Sequence, residues 1–425
     1  MIRRPSRMVW LCVALIGVTP PVLAQTLSSV PPPLSLPDAQ RIALDRAPRL
    51  AGIAAQAHAA REMAVAAGTL PDPVLKLGVS NIPVSGEMAW SATRDSMSMR
   101  TFGVMQEFTR GEKREAARAR DEQMAELALV EAQRTRSEIA RDTALAWLEL
   151  DSLLRQQALL EEQVAAVRDQ EQAAAAFRGG RGEQVEIFAM RTEAENMRSM
   201  LTGLDGEIGM ARARLTRWLG ESPATLAATP DISRLAWDWR SDSLDQHPTI
   251  ALLTQQVALA EADARLARAR RKPDLGVELM YGRRSEVYGD MISVTVSMPL
   301  QWNIGQRQDR ELASSLSMAD QVRAEQEDMR RAYRAELEGM HAAWQSALAR
   351  LAHAERTLIP LAEQQQAATL AAYRAGSGML ERALGARRAV LEARLARERV
   401  ALEAARAWAQ LNFLDAQTIA QGARP

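Results

Sequence analysis

One cysteine, four histidines and an aromatic content of 4% are all that 425 residues supply of the usual site-building side chains. A lone Cys12 cannot close an intramolecular disulfide, and no CxxC pattern can be written. His58, His247, His341 and His353 share no HExxH-type ligand spacing. His341 and His353 lie twelve apart, slightly over three helical turns, which puts them near one face without making a metal site. There is no Ser-nucleophile motif and no phosphate-binding Gly loop, so the sequence offers no catalytic residue, no cofactor-binding residue and no metal ligand set. An enzyme is therefore not expected. Acidic and basic residues balance at 53 each without a basic patch, which argues against nucleic acid as a partner. Beyond the N-terminal region no eighteen-residue apolar run occurs, so a transmembrane helix is not expected either.

Glycine and proline are missing from one long stretch, and this absence is constructive. Glu112 to Arg178 holds 67 residues without either, and Ala, Leu, Arg, Glu and Gln dominate it. Fully helical, it would be a rod of about 100 Å. It ends in Phe177-Arg178-Gly179-Gly180-Arg181-Gly182, a tight turn, after which a helical pattern returns to Trp218. The object recurs. Gln306 to Arg374 is a second long run, with Gly339 and Pro360 as candidate bends, and it ends in Tyr373-Arg374-Ala375-Gly376-Ser377-Gly378. Phe177 and Tyr373, Arg178 and Arg374, Gly180 and Gly376, and Gly182 and Gly378 are each 196 positions apart. Ala47-Pro48 echoes His247-Pro248, and Pro71-Asp72 echoes Pro273-Asp274. The chain is a duplication with a period of about 200 residues.

The N-terminus has the pattern of a secretory signal. Arg3, Arg4 and Arg7 precede an apolar core from Met8 to Val18, and Val22-Leu23-Ala24 makes a small-residue cleavage site before Gln25. Its removal would leave 50 basic and 53 acidic residues and no thiol, which suits an oxidising compartment.

Each half inserts two short alternating segments between a shorter helix and a long one. In the first half these are about 74–80, with Leu75, Leu77 and Val79 on one face, and about 97–108. In the second they are about 275–282 and 291–300, where Ile292, Val294, Val296 and Met298 alternate with Ser293, Thr295 and Ser297. Segments of this length cross a bilayer when tilted. Apolar-out, polar-in alternation marks a membrane barrel; a soluble hairpin packed on helices is the competing reading. Four strands cannot close a barrel, and open edges are not tolerated in lipid. A barrel would have to be shared between subunits, with the rods packed beneath it as a helical tube. The apolar steps Leu153, Leu160, Val164 and Val167, and Ala194, Met197, Leu201, Leu204, Ile208, Ala211, Leu215 and Trp218, supply coiled-coil-like seams for that packing.

With these features the mature chain resembles the TolC-like outer-membrane efflux family. Leu70-Pro71-Asp72-Pro73-Val74-Leu75, Asn81-Ile82-Pro83, Gln106-Glu107-Phe108 and Gly111-Glu112-Lys113-Arg114 are similar to its heavy-metal cation branch, of the CzcC and CusC type. The resemblance implies a mainly α fold with a small β part. Long helical hairpins form a trimeric α-barrel continuous with a shared transmembrane β-barrel, four strands per chain. It implies a homotrimer in outer-membrane lipid, with the helical part in the periplasm. A periplasmic adaptor and an inner-membrane proton-driven pump would be its partners, and heavy-metal cations its cargo. Drug efflux or type I secretion within the same family, and a periplasmic coiled-coil scaffold outside it, stand as alternatives. The domain boundaries that follow are a signal peptide at 1–24, a first efflux repeat at 25–219 (hairpin about 112–219) and a linker at 220–243. A second repeat follows at 244–416 (hairpin about 306–412), and a tail at 417–425.

The tips Arg178, Gly180, Gly182 and Arg374, Gly376, Gly378 are turn positions on their own terms. By resemblance they are also the adaptor-docking sites. The family pattern further points to Glu186 and Tyr373 as a carboxylate–hydroxyl gate at the periplasmic end. The family's acidic ring is not matched, because Arg382 stands six residues after Gly376 and Glu381 is offset by about 100°. Met88, Met97, Met99 and Met105 cluster in the first hairpin; thioethers suit soft cations, but packing is the favoured reading.

Overall fold

The computed structural model describes residues 33–176, 184–228, 247–284 and 288–413, and no side chain within 169–187. Its elements run α1 (Leu36–Asp45), α2 (Pro48–Gly68), β1 (Val74–Ser80), β2 (Met99–Phe108), α3 (Gly111–Ala176) and α4 (Gln184–Leu219). The second half follows with α5 (Pro248–Ala269), β3 (Leu275–Arg283), β4 (Met291–Ser297), α6 (Gln308–His353), a π turn (Ala354–Leu358), α7 (Ile359–Arg374) and α8 (Leu380–Asn412). The fold is mainly helical with one small sheet, as the duplication and the two long helical runs predict.

The sheet is antiparallel in the order β1-β2-β3-β4, so the two hairpins of the repeat join edge to edge through β2 and β3. Each strand continues into a helix, and the helices beneath keep the strand order: α2 packs on α3, α3 on α5, and α5 on α6. Farther from the sheet α4 takes the place of α2 against α3, and α8 lies against α3, α6 and α7. One edge of the molecule is thus β1, α2 and α4, and the other is β4, α6 and α7.

The long helices form because their sequence offers nothing to stop them. α3 spans 66 residues, about 100 Å. α6 runs unbroken through Gly339. The bend residue that matters is Pro360: lacking an N–H, it sits just after the π turn, whose wider backbone absorbs the missing bond while the rod continues into α7. Pro48 separates α1 from α2 completely. The seams read from the sequence are buried in one core, with Leu153, Leu160, Val167, Met197, Leu204, Ile208 and Leu215 together with Trp147, Trp344 and Trp408. Trp147 is fully buried, and its indole N–H donates to the Leu34 carbonyl.

Three strand limits differ from the sequence reading, β3 by one residue, ending at Arg283 rather than 282. β2 begins at Met99 rather than 97, because the buried Ser98 turns into the loop, where its hydroxyl donates to the Asn81 and Ser91 carbonyls. β4 ends at Ser297 rather than 300, because Pro299 has no N–H for a ladder. The signal segment, most of the linker, the first tip and the tail lie outside the described residues.

Candidate functional site: channel wall, joint and hairpin tip

The register assigns every strand residue to one of two faces, since directly opposed residues share a face. One face carries apolar rows that cross all four strands: Leu75-Val104-Leu279-Val294, and Leu77-Phe102-Tyr281-Ile292. All eight are exposed on the single chain. Rows on the other face read Lys76-Gly103-Met280-Ser293, Gly78-Thr101-Gly282-Met291 and Val74-Met105-Glu278-Thr295. This face carries charged, hydroxyl and glycine positions together with Val74 and methionines. Lys76 Nζ reaches Glu278 Oε2 at 2.6 Å across the whole width of β2. It can do so because Gly103 stands between them. A Cβ at Gly103 would meet the Leu279 carbonyl at 2.9 Å.

The methionines fit the same logic. Met99 Sδ lies over Gly282, and Met105 Cε lies over Gly276. Both thioethers fill space left by glycine, which is a packing role. Among the described residues no cluster of His, Cys, Asp or Glu has metal-binding geometry.

Below the sheet is a joint that residue-by-residue reading of the sequence did not find. Lys113 forms an ion pair with Asp274, and Lys272 forms one with Glu112. The Arg110 N–H donates to Asp274 Oδ1 at 3.1 Å, and Arg110 Nε donates to the Pro273 carbonyl at 2.8 Å. Arg114 Nη1 donates to the Gly68 carbonyl, and Gln106 Nε2 to the Pro71 carbonyl. Partial burial pushes the Asp274 carboxyl up, but the Lys113 and Arg110 hydrogen bonds and charges hold it below its usual range. The segments 70–75, 106–108 and 111–114, together with Pro273-Asp274, thus converge where strands become helices. The available signal was the Pro-Asp echo between the halves.

At the second tip Ala375 caps α7, and Gly376 follows with φ +74°. The Gly376 N–H donates to the Tyr373 carbonyl at 2.9 Å, and the Ser377 N–H to the Ala372 carbonyl at 3.0 Å, which is a Schellman turn. Gly378 is required for another reason: a Cβ there would sit 3.0 Å from the Tyr373 nitrogen. Arg374 closes the last turn of α7. Arg178, Gly180 and Gly182 lie outside the described residues. Glu186 lies on α4, and its side chain is outside the described residues.

Between the two hairpins the chain makes a tie that the sequence reading missed. Arg388 of α8 pairs with Glu193 of α4, with Nε donating to Oε1 at 3.1 Å and Nη2 to Oε2. The neighbouring Arg387 is buried and donates from Nε to Gln163 Oε1 of α3 at 3.0 Å. Burial pushes the Arg387 guanidinium down from its ordinary value, with Glu193 acting against that.

The four-stranded sheet thus has two unlike faces and is continued by helical rods about 100 Å long. Residues 239–417, the second repeat and under half of the chain, match the family model described as outer membrane efflux protein. The outer membrane protein VceC from Vibrio cholerae superimposes with a TM-score of 0.71 at 19% identity, covering 90% of this chain and 95% of that one. CusC matches with a TM-score of 0.75 at 15% identity over 89% of this chain and 91% of that one. The MtrE outer membrane channel of Neisseria gonorrhoeae, in its open state, matches at 0.72 and 15% identity over 90% and 88%. Among curated proteins no sequence match is found. Of these, CusC forms a transmembrane channel and MtrE is an outer membrane channel.

Proposed function

We propose that the protein is one protomer of an outer-membrane efflux channel, a passive duct with its sheet in the outer membrane and its helices in the periplasm. The observation that carries this is the two-faced sheet: apolar rows cross all four strands on one side, and Lys76, Glu278, serines and threonines line the other. An apolar face left exposed on all four strands, with Lys76 and Glu278 behind it, fits a barrel wall between lipid and water. The ordered edges support a head-to-tail ring, in which β1, α2 and α4 of one copy meet β4, α6 and α7 of the next. Three copies would supply twelve strands.

The hairpin tips, Arg178, Gly180 and Gly182 with Arg374, Gly376 and Gly378, would dock a periplasmic adaptor that joins an inner-membrane proton-driven pump. Glu186 and Tyr373 would close the resting duct. Heavy-metal cations are the proposed cargo. What supports them is the resemblance of the 70–75, 81–83, 106–108 and 111–114 segments to the heavy-metal branch. Five of those residues, Pro71, Gln106, Glu112, Lys113 and Arg114, build the joint, so their part in this chain is architectural. Fractionation tests the channel reading: the protein should sediment with outer membranes, whereas recovery in the soluble periplasm would make it a scaffold. Loss of the gene should sensitise cells to metal salts and leave drug tolerance unchanged if the cargo is metal; the reverse would point to drugs.

A further inference from the structure

The four methionines of the sheet stand on one face. Register puts Met99, Met105, Met280 and Met291 with Lys76 and Glu278, on the face that the channel reading turns toward the duct. Val74 is the other apolar residue of that face. The opposite face carries leucine, valine, isoleucine, phenylalanine and tyrosine, and no methionine. Filling glycine gaps does not explain this division. Valine or isoleucine has the higher strand preference and loses less rotamer freedom than methionine. The four positions also form a chain along the strands. Met99 Sδ lies over Gly282, whose direct partner on β4 is Met291. Met280 opposes Ser293 on β4 and Gly103 on β2, which makes it the diagonal neighbour of both Met291 and Met105. Diagonal partners lie about 7–8 Å apart, within reach of long side chains. Each step descends one row, so the four thioethers cover about 20 Å of wall. None of the four is buried. Apart from Val74, the residues directly opposite them are Ser80, Gly103, Glu278, Gly282 and Ser293, so the four do not make an apolar patch.

We propose that the four thioethers are a track for soft monovalent cations of the Cu(I) and Ag(I) class, passed between neighbouring sulfurs along the duct wall. Thioethers select such ions, whereas carboxylate, carbonyl and water suit harder ones. A lipophilic cation is the weaker occupant. Flexible methionines accommodate one as a contiguous apolar surface, and here polar positions separate them. The proposal rests on the channel reading and narrows its cargo from heavy-metal cations to soft ones.

The test is oxidative footprinting of the full-length protein, extracted from isolated outer membranes into chloride-free buffer, with silver(I) nitrate as the probe. Peroxide converts accessible thioethers to sulfoxides, and peptide mass spectrometry reads each methionine separately. Silver should slow oxidation of Met99, Met105, Met280 and Met291 severalfold, and leave Met379, exposed beside the second tip, unchanged. The Met99→Leu, Met291→Leu double variant keeps the packing volume. It should raise severalfold the silver concentration that protects Met280; an unchanged concentration would overturn the track. Equal protection of all methionines, or of none, would overturn it while leaving the channel reading intact. Protection by tetraphenylphosphonium and not by silver would overturn it in favour of a lipophilic cargo. Absence of the parent protein from the outer-membrane fraction would overturn the channel reading itself.

Discussion

Lys113, at the start of α3, is paired with Asp274, the residue immediately before β3. The pair ties the first repeat to the second at the level where the sheet gives way to the rods. Both side chains are mostly buried, and the Arg110 N–H holds the same carboxylate. Asp274→Ala removes the partner of two donors and should cost about 2 kcal/mol. Thermal unfolding of the detergent-solubilised protein, followed by helical circular dichroism, checks this. Lys113→Ala combined with Asp274→Ala should cost less than the two single changes added together. Strict additivity would mean the two residues do not act as a pair.

A second relationship, within the second half, titrates. The His247 Nδ1 accepts from the Thr249 N–H at the start of α5, so in the neutral ring Nε2 carries the proton and donates to the Tyr333 hydroxyl at 2.6 Å. Burial holds the His247 pKa at about 4, against an ordinary 6.5, and pushes the Tyr333 hydroxyl up. Because the folded value is depressed, the neutral ring's contribution is complete above about pH 6.5. It is lost as pH falls from there to about 4, by on the order of 2–3 kcal/mol. The melting temperature should fall across that window, and His247→Gln should flatten the fall. An unchanged pH profile in the variant would remove His247 from the account.

The tips are the place to look for adaptor recognition. Gly376 has a left-handed backbone, and Gly378 approaches the Tyr373 backbone, so both positions shape the turn. Gly376→Trp or Gly180→Trp should abolish export in cells while assembly in the outer membrane persists. Unchanged tolerance to the exported compound would take the tips out of the docking site.

Gating is expected to involve the space between the hairpins. Glu186 and Tyr373 are the proposed closing pair, and the observed Arg388–Glu193 tie holds α8 to α4 nearby. A shielded hydrogen bond to a charged group contributes roughly 1.5–3 kcal/mol, and less at an exposed tip. The Glu186→Ala, Tyr373→Phe double variant should raise single-channel conductance in planar bilayers. Conductance equal to the parent would assign closure elsewhere, with Arg388→Ala the next variant to measure.

The fold was legible because its signals are periodic and repeated. The rod from 112 to 178 needs only the absence of Gly and Pro, and the strands need only alternation. Pro360 shows where such reading stops: a proline inside a rod predicts a bend, but not that a π turn just before it lets the rod continue. The sheet's apolar face could be read strand by strand, yet the Lys76–Glu278 pair could not. It depends on β2 and β3 being neighbours and on Gly103 between them, and register across 200 residues is not a local property. The Lys113–Asp274 joint and the Arg388–Glu193 tie were hidden for the same reason. Each joins residues from different halves that only tertiary packing brings together.

The central claim is that four strands per chain close a membrane barrel only when copies combine. The most direct measurement is the native mass of the full-length protein extracted from isolated outer membranes in mild detergent. The account predicts three chains per particle and no stable smaller species. A monomer that remains in the outer membrane and conducts in planar bilayers would contradict it.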